Sequence, residues 1–210
     1  MNLYLLRHGQ TAASRENRFT GSSNPPLTPV GAAMAESFAS AYSELEWQAV
    51  YTSPLLRARQ TAEPLVRRLG VEPIVENGLA EIGYGEWEGL TAEEARERGP
   101  AAYDYWAHDV ASRGAPGGET AFAVAARAMR VVEQIRTHYE SGNVLVVSHK
   151  ATLRIVACAL LGLDVRLFRE RLTMPVASVT MFVVAPKSTQ LTLFSDRSHL
   201  SLELRNAAGT

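Results

Sequence analysis

The run Val144-Leu145-Val146-Val147 carries no polar residue, and it constrains the fold more than any other stretch of the chain. A strand with one face in water alternates apolar and polar side chains. A strand apolar on both faces must be covered on both, as in a parallel sheet sandwiched by helices. With Asn143 in front, the run reads as a buried strand that stops at Ser148-His149-Lys150. A helical pattern from about Ala151 to Leu161 follows and ends at Gly162. Two other stretches have the same form. Leu3 to Leu6 is a short apolar run that ends in Arg7-His8-Gly9. Ala49 to Thr52 ends in Ser53-Pro54, a cap-plus-proline start for a helix carrying Leu55, Leu56, Ala58, Ala62, Leu65 and Leu69 and stopping at Gly70.

Between these units the periodicity predicts further elements. Ala12 to Pro26 is polar and rich in Gly, Ser, Asn and Pro, which is loop chemistry. Thr28-Pro29 caps a helix to about Tyr42, and Glu72 to Val75 is a short strand. Thr91 with Glu94 forms a capping box for a helix over Ala92 to Arg98, and Pro100 to Asp109 follows as another. Glu119 to Tyr139 is a long amphipathic helix with Phe122, Ala126, Met129, Val132 and Ile135 inward. Val176 to Val184 and Gln190 to Phe194 read as a hairpin at a sheet edge, and the tail after Leu204 as frayed. The expected fold is a three-layer α/β/α sandwich with a mostly parallel central sheet. Residues 1–210 form one domain in this reading, with a helical cap insertion at about 80–116.

Composition narrows the function classes. Net charge is −1, so no global field favours nucleic acid or an anionic membrane. No run approaches the ~20 apolar residues of a membrane span. The apolar start before Arg7 is too short for a signal-peptide core. A soluble cytoplasmic protein is expected. Cys158, the one cysteine, lies in an apolar run and reads as a buried structural thiol.

The chemistry gathers at the strand ends. Arg7-His8, Arg57 and His149-Lys150 each follow a strand closely, and in an open parallel sheet those ends face one crevice. Imidazoles and guanidiniums crowded there repel one another unless an anion joins them. The planar fork of arginine suits phosphate oxygens.

Leu6-Arg7-His8-Gly9-Gln10-Thr11 resembles the signature of the histidine phosphatase superfamily, the phosphoglycerate mutase-like proteins. The resemblance continues through Asn17-Arg18-Phe19-Thr20-Gly21, Thr52-Ser53-Pro54-Leu55-Leu56-Arg57, Glu81-Ile82-Gly83-Tyr84-Gly85-Glu86-Trp87-Glu88-Gly89, Val147-Ser148-His149 and Ser198-His199-Leu200. It implies that His8 is the nucleophile, attacking phosphorus to form a phosphohistidine, with its other ring N–H held by an acceptor. It implies that Arg7, Arg57 and His149 clamp the phosphoryl oxygens. Glu81 matches the family's general acid, with desolvation or neighbouring acids keeping its proton. Glu86 and Glu88 are lesser candidates, solvated or helix-linked. No metal and no cofactor are implied.

Gln10, Ser14, Asn17, Thr20, Gly21 and Lys150 are the candidate phosphate and substrate contacts. Two of them depart from the family pattern. Ser14 stands where asparagine is frequent, so that phosphate contact is either lost or carried by Asn17 or by backbone N–H groups at Thr20-Gly21. Lys150 stands where glycine often follows the second histidine, and it adds a charge suited to a second anionic group. The expected activity is metal-independent hydrolysis of a small phosphorylated metabolite, a phosphoric monoester hydrolase of the histidine acid phosphatase type. A cofactor-dependent phosphoglycerate mutase and a non-catalytic phospho-ligand binder are the alternatives. The C-terminal β-rich edge is compatible with a homodimer.

Overall fold

The computed structural model describes residues 1–209. Six strands form one sheet in the order β3-β2-β4-β1-β5-β6. In chain order the chain runs β1 (Asn2–Arg7), α1 (Ala12–Arg15), α2 (Pro29–Tyr42), β2 (Trp47–Thr52), α3 (Leu56–Leu69) and β3 (Ile74–Val75). Then come α4 (Ala92–Arg98), α5 (Pro100–His108), α6 (Ala121–His138), β4 (Asn143–Ser148) and α7 (Lys150–Leu161). The chain closes with α8 (Phe168–Arg171), β5 (Val179–Ala185), β6 (Ser188–Asp196) and α9 (Leu202–Asn206). β1, β2, β3 and β4 are parallel, and the β5–β6 hairpin adds antiparallel strands at one edge.

The apolar run of β4 is buried on both faces, as its sequence requires. Leu3, Leu5, Val144 and Val146 face a core shared with Val124, Val132 and Ile135 of α6 and Leu153 of α7. Tyr4, Leu6, Leu145 and Val147 face the opposite core, with Phe38 of α2 and Ala58, Ala62 and Leu65 of α3. Helices therefore cover both sides of the sheet. Between Ala80 and Pro116 the chain builds a smaller aromatic cluster, in which Trp87 and Trp106 meet edge-on at 5.2 Å and pack with Ala95 and Ala115.

Register sets the chemistry. Arg7 lies opposite Ser148, and Thr52 opposite Val147. His8, Ser53 and His149 thus leave the sheet at neighbouring carboxyl ends.

Several local readings are corrected. Ser53 does not cap a helix: Leu55 takes the N-cap position, and the Ser53 hydroxyl accepts from the Leu55 N–H. The Ala12–Pro26 segment is not all loop, because Thr11 and Ser14 form a capping box that starts α1. The long helix begins at Ala121, with Thr120 as its cap. Its inward stripe is Ala121, Val124, Ala128, Val131, Val132 and Ile135, while Phe122 and Ala126 lie outside. Phe122 lies beneath the Arg166 guanidinium instead. Glu119 stays out of the helix and pairs with Arg127 at 2.9 Å. The tail is not frayed through the described residues. Val176 N–H donates to Gly209 O at 3.1 Å, and Leu200 packs with Met34 and Val176.

Candidate active site

His8 leaves β1 into a chain crossing that only small residues permit. A Cβ on Gly9 would come within 2.5 Å of the Gly31 carbonyl oxygen, and one on Gly31 within 2.1 Å of the Gln10 carbonyl oxygen. The Gly9 N–H is held by the Thr61 hydroxyl at 3.0 Å, which fixes the turn behind the imidazole. Nδ1 of His8 lies 2.7 Å from Gly9 O. A carbonyl only accepts, so Nδ1 carries the proton and Nε2 keeps a lone pair. Burial, then the charges of Arg57 and Arg7, hold the imidazole well below its ordinary pKa and therefore neutral near pH 7.

A cavity of about 560 Å³ opens in front of this ring. Arg7, His8, Ser14, Asn17, Thr20, Arg57, Glu81 and Lys150 all line it, so most of the sequence candidates converge. Arg7 is 4% exposed and donates through Nη1 to Met174 O at 2.6 Å, while its buried Nε has no acceptor. Burial pulls Arg7 down to about 9, which leaves it cationic at neutral pH. Arg57 is 1% exposed, and its guanidinium reaches Ser23 O at 2.8 Å and Thr20 O and Gly21 O at 3.1 Å.

His149 stands behind this wall rather than on it. It is fully buried, its ring centroid lies 5.2 Å from that of His8, and both ring nitrogens are engaged. Nδ1 accepts from Arg57 Nε at 3.1 Å, and Nε2 contacts the Ser53 hydroxyl at 2.7 Å. Burial and the Arg57 charge hold it neutral too.

Glu81 sits at the start of α7. Oε2 accepts from Ala151 N–H at 3.1 Å, and Oε1 from Thr152 N–H and Oγ1 at 3.1 Å and Ile82 N–H at 2.9 Å. A carboxylate suits the unpaired N–H groups of a helix N-terminus. Among the described residues, Glu81 is the one carboxylate on the cavity wall, so the neighbouring acids expected to share its proton are missing.

Three candidate contacts are engaged elsewhere. Gln10 donates through Nε2 to Ala208 O at 2.6 Å and accepts from the Thr28 hydroxyl at 2.7 Å, tying the tail to the start of α2. The Gly21 N–H donates to Glu88, and the Ser14 hydroxyl is engaged with the Thr11 backbone. Glu88 is the residue that sequence reasoning undervalued. Its carboxylate collects the N–H groups of Gly21, Ser22 and Ser23, the Ser23 hydroxyl and the Tyr84 N–H. Burial works against that charge, but these hydrogen bonds outweigh it and hold Glu88 below the usual carboxylate range. The three successive N–H donors form an anion nest already filled by the protein. The local signal was the Gly-Ser-Ser triplet, whose partner lies far along the chain.

Among the described residues no group of three or more His, Cys, Asp or Glu side chains is placed to hold a metal ion. No helix among them is long and apolar enough to cross a membrane.

The chain is 31% identical over 168 residues to phosphoserine phosphatase 1 of Hydrogenobacter thermophilus, covering 80% of each. It is 35% identical over 160 residues to a 2,3-bisphosphoglycerate-dependent phosphoglycerate mutase of Gloeobacter violaceus, covering 73% of each. It also matches longer mycobacterial proteins at 38% identity over 180 residues, and spans about half (49%) of their length. A solved mycobacterial glucosyl-3-phosphoglycerate phosphatase superposes with a TM-score of 0.85 at 28% identity, covering 93% of this chain and 99% of that one. The profile of the histidine phosphatase superfamily (branch 1) matches residues 3–197, a span that takes in His8, Arg57, Glu81 and His149. With that match over nearly the whole chain, and an imidazole and two guanidiniums on one cavity wall, this protein belongs to the histidine phosphatase superfamily.

Proposed function

We propose that the protein is a phosphoric monoester hydrolase that works through a phosphohistidine on His8. The observation that carries this reading is the 2.7 Å contact from His8 Nδ1 to Gly9 O, which leaves a neutral Nε2 facing cationic walls. Attack needs that lone pair, and phosphoryl transfer otherwise depends on positioning and charge. Nε2 of His8 bonds to phosphorus as the bond from phosphorus to the ester oxygen breaks. Arg7 and Arg57 balance the charge on the phosphoryl oxygens. Glu81 passes a proton to the departing oxygen. A water then attacks phosphorus, Glu81 takes its proton, and the Nε2–P bond breaks to release inorganic phosphate.

The mutase reading is favoured by the similarity to the Gloeobacter protein, and one experiment separates the readings. Enzyme exposed to a ³²P-labelled ester and quenched in alkaline denaturant is expected to carry an acid-labile, base-stable label that is absent in His8→Ala. Hydrolysis predicts release of inorganic phosphate under turnover. Formation of an isomeric ester without phosphate release would establish the mutase, and no label with no turnover would establish a binding protein.

A further inference from the structure

Beyond the phosphoryl site, the same cavity holds cations that the proposed reaction does not use. Lys150 and Arg154 lie one turn apart on α7, which places them on one face of the helix. Arg169, on α8, joins them on the cavity wall. Arg154 is 7% exposed, and its guanidinium lies over the Phe168 ring at 5.5 Å and donates through Nη2 to Arg169 O. Its buried Nε has no acceptor. Arg169 lies over the Trp106 ring at 4.4 Å. Among the described residues no carboxylate forms a salt bridge with Lys150, Arg154 or Arg169. By contrast Arg18, on the same wall, is paired with Glu16 and Glu94.

Charge decides what this means. A phosphate monoester brings roughly two negative charges at neutral pH, which Arg7 and Arg57 already match. Glu81 accounts for one more cation at most. The remaining positive charges, one of them nine-tenths buried, have no carboxylate partner among the described residues. Burying a charge without a counter-charge is costly. Lys150 reports the strain. Burial, then repulsion from Arg7 and Arg154, draws it down to about 8.

We propose that Lys150, Arg154 and Arg169 form a second anion subsite, which takes a carboxylate or second phosphate of the substrate while its phosphoryl group lies against His8, Arg7 and Arg57. This rests on the phosphatase reading and names its substrate class: small phosphomonoesters with another anionic group. The Phe168 and Trp106 rings fix the guanidiniums in place, so little side-chain freedom is lost when the anion arrives.

Matched esters test it. 3-Phosphoglycerate and glycerol 3-phosphate differ in a carboxylate against a hydroxymethyl group. Propane-1,3-diol bisphosphate and 3-hydroxypropyl phosphate differ in the second phosphate. The wild-type kcat/KM is expected to favour the doubly anionic member of at least one pair by about tenfold or more, the scale of a charge-assisted hydrogen bond. Which pair shows the preference identifies the anion. Arg154→Gln, Arg169→Gln and Lys150→Gln are each expected to reduce that ratio severalfold, chiefly through KM. If Arg154→Gln does not fold, the other two carry the test. A wild-type ratio near one for both pairs, or a ratio unmoved by the substitutions, overturns the subsite. If the wild type hydrolyses none of the four esters, the phosphatase reading fails separately. The subsite is then read by calorimetric titration of the same esters. Tighter binding of a doubly anionic member that is lost in Lys150→Gln and Arg169→Gln supports it, and equal or no binding overturns it.

Discussion

Arg57 Nε donates to Nδ1 of His149 at 3.1 Å, and this contact ties the guanidinium on the cavity wall to an imidazole buried behind it. An arginine only donates, so Nδ1 of the neutral His149 must accept, and its proton sits on Nε2, directed at the Ser53 hydroxyl 2.7 Å away. The tautomer of one residue is thus set by the aim of another. The relation follows from register: β4 and β2 run parallel with Thr52 opposite Val147, so Ser53 and His149 emerge close to each other.

His149→Ala removes the acceptor of Arg57 Nε and strands a buried donor. The expected cost is about 1–3 kcal/mol of stability, from the unsatisfied group. The activity towards an aryl phosphate is expected to fall by about 10²-fold, because the guanidinium loses its aim. Denaturant unfolding and kcat/KM check both. Wild-type activity in this variant would mean that the carbonyls of Thr20, Gly21 and Ser23 alone hold Arg57.

Glu81→Gln keeps an acceptor for the α7 N–H groups but cannot exchange a proton. We expect kcat to fall by roughly 10²–10⁴-fold on an alkyl phosphate. The loss should be smaller for formation of the phosphohistidine from p-nitrophenyl phosphate, whose leaving group departs without a proton. Burst and steady-state kinetics on the two esters separate the steps. An equal loss in both steps with both esters would place Glu81 outside proton transfer.

Glu88→Ala empties the nest formed by Gly21, Ser22 and Ser23. Several charge-assisted contacts vanish together, and the segment that carries the Arg57 acceptors loosens. A loss of about 2–3 kcal/mol is expected on the scale of a hydrogen-bonded charge. Amide exchange of residues 20–23 should accelerate, and kcat/KM should drop while the phosphohistidine still forms. Unchanged exchange in this segment would contradict this role of Glu88.

Stability should fall on mild acidification. His8 and His149 are held well below their ordinary pKa by burial, and His199, edge-on against the stacked Phe38 and Tyr42 rings, is lowered to about 4 by the same cause. A depressed folded-state pKa means that the unfolded chain takes up the proton first. The folded state is therefore favoured fully above the unfolded value near 6.5, and loses stability as pH drops below it. For His199 the loss continues to its folded value near 4. Partly exposed as it is, His199 contributes on the order of 1 kcal/mol after screening. Denaturant unfolding at pH 7.5 and 5.5 is expected to show the drop, and His199→Gln to reduce it. A flat profile would mean that these rings are protonated in the folded state.

The parts of this protein legible in the chain are those with a local cause. The apolar runs at Leu3–Leu6 and Val144–Val147 announced strands covered on both faces. The Thr28-Pro29 and Thr91/Glu94 signals announced helix starts, since a cap and its partner lie within one turn. Arg7, His8 and Arg57 were readable because motif and strand end coincide, Glu81 through the family resemblance alone, and the cavity gathers them. The remainder depended on partners distant in sequence. Whether Ser53 caps a helix or faces an imidazole depends on His149. Whether Gln10 meets a phosphate or the tail depends on Ala208. Glu88 looked like a solvated carboxylate until Gly21 to Ser23 folded onto it. The sequence alone determined the layered sheet and the place of His8 at the carboxyl end of β1, because pleat, helical period and capping act over a few residues. Only the tertiary structure decided which charges are balanced, because electrostatic pairing depends on distance in space. That is why the unpaired cations on α7 and α8 became visible only beside Arg7 and Arg57.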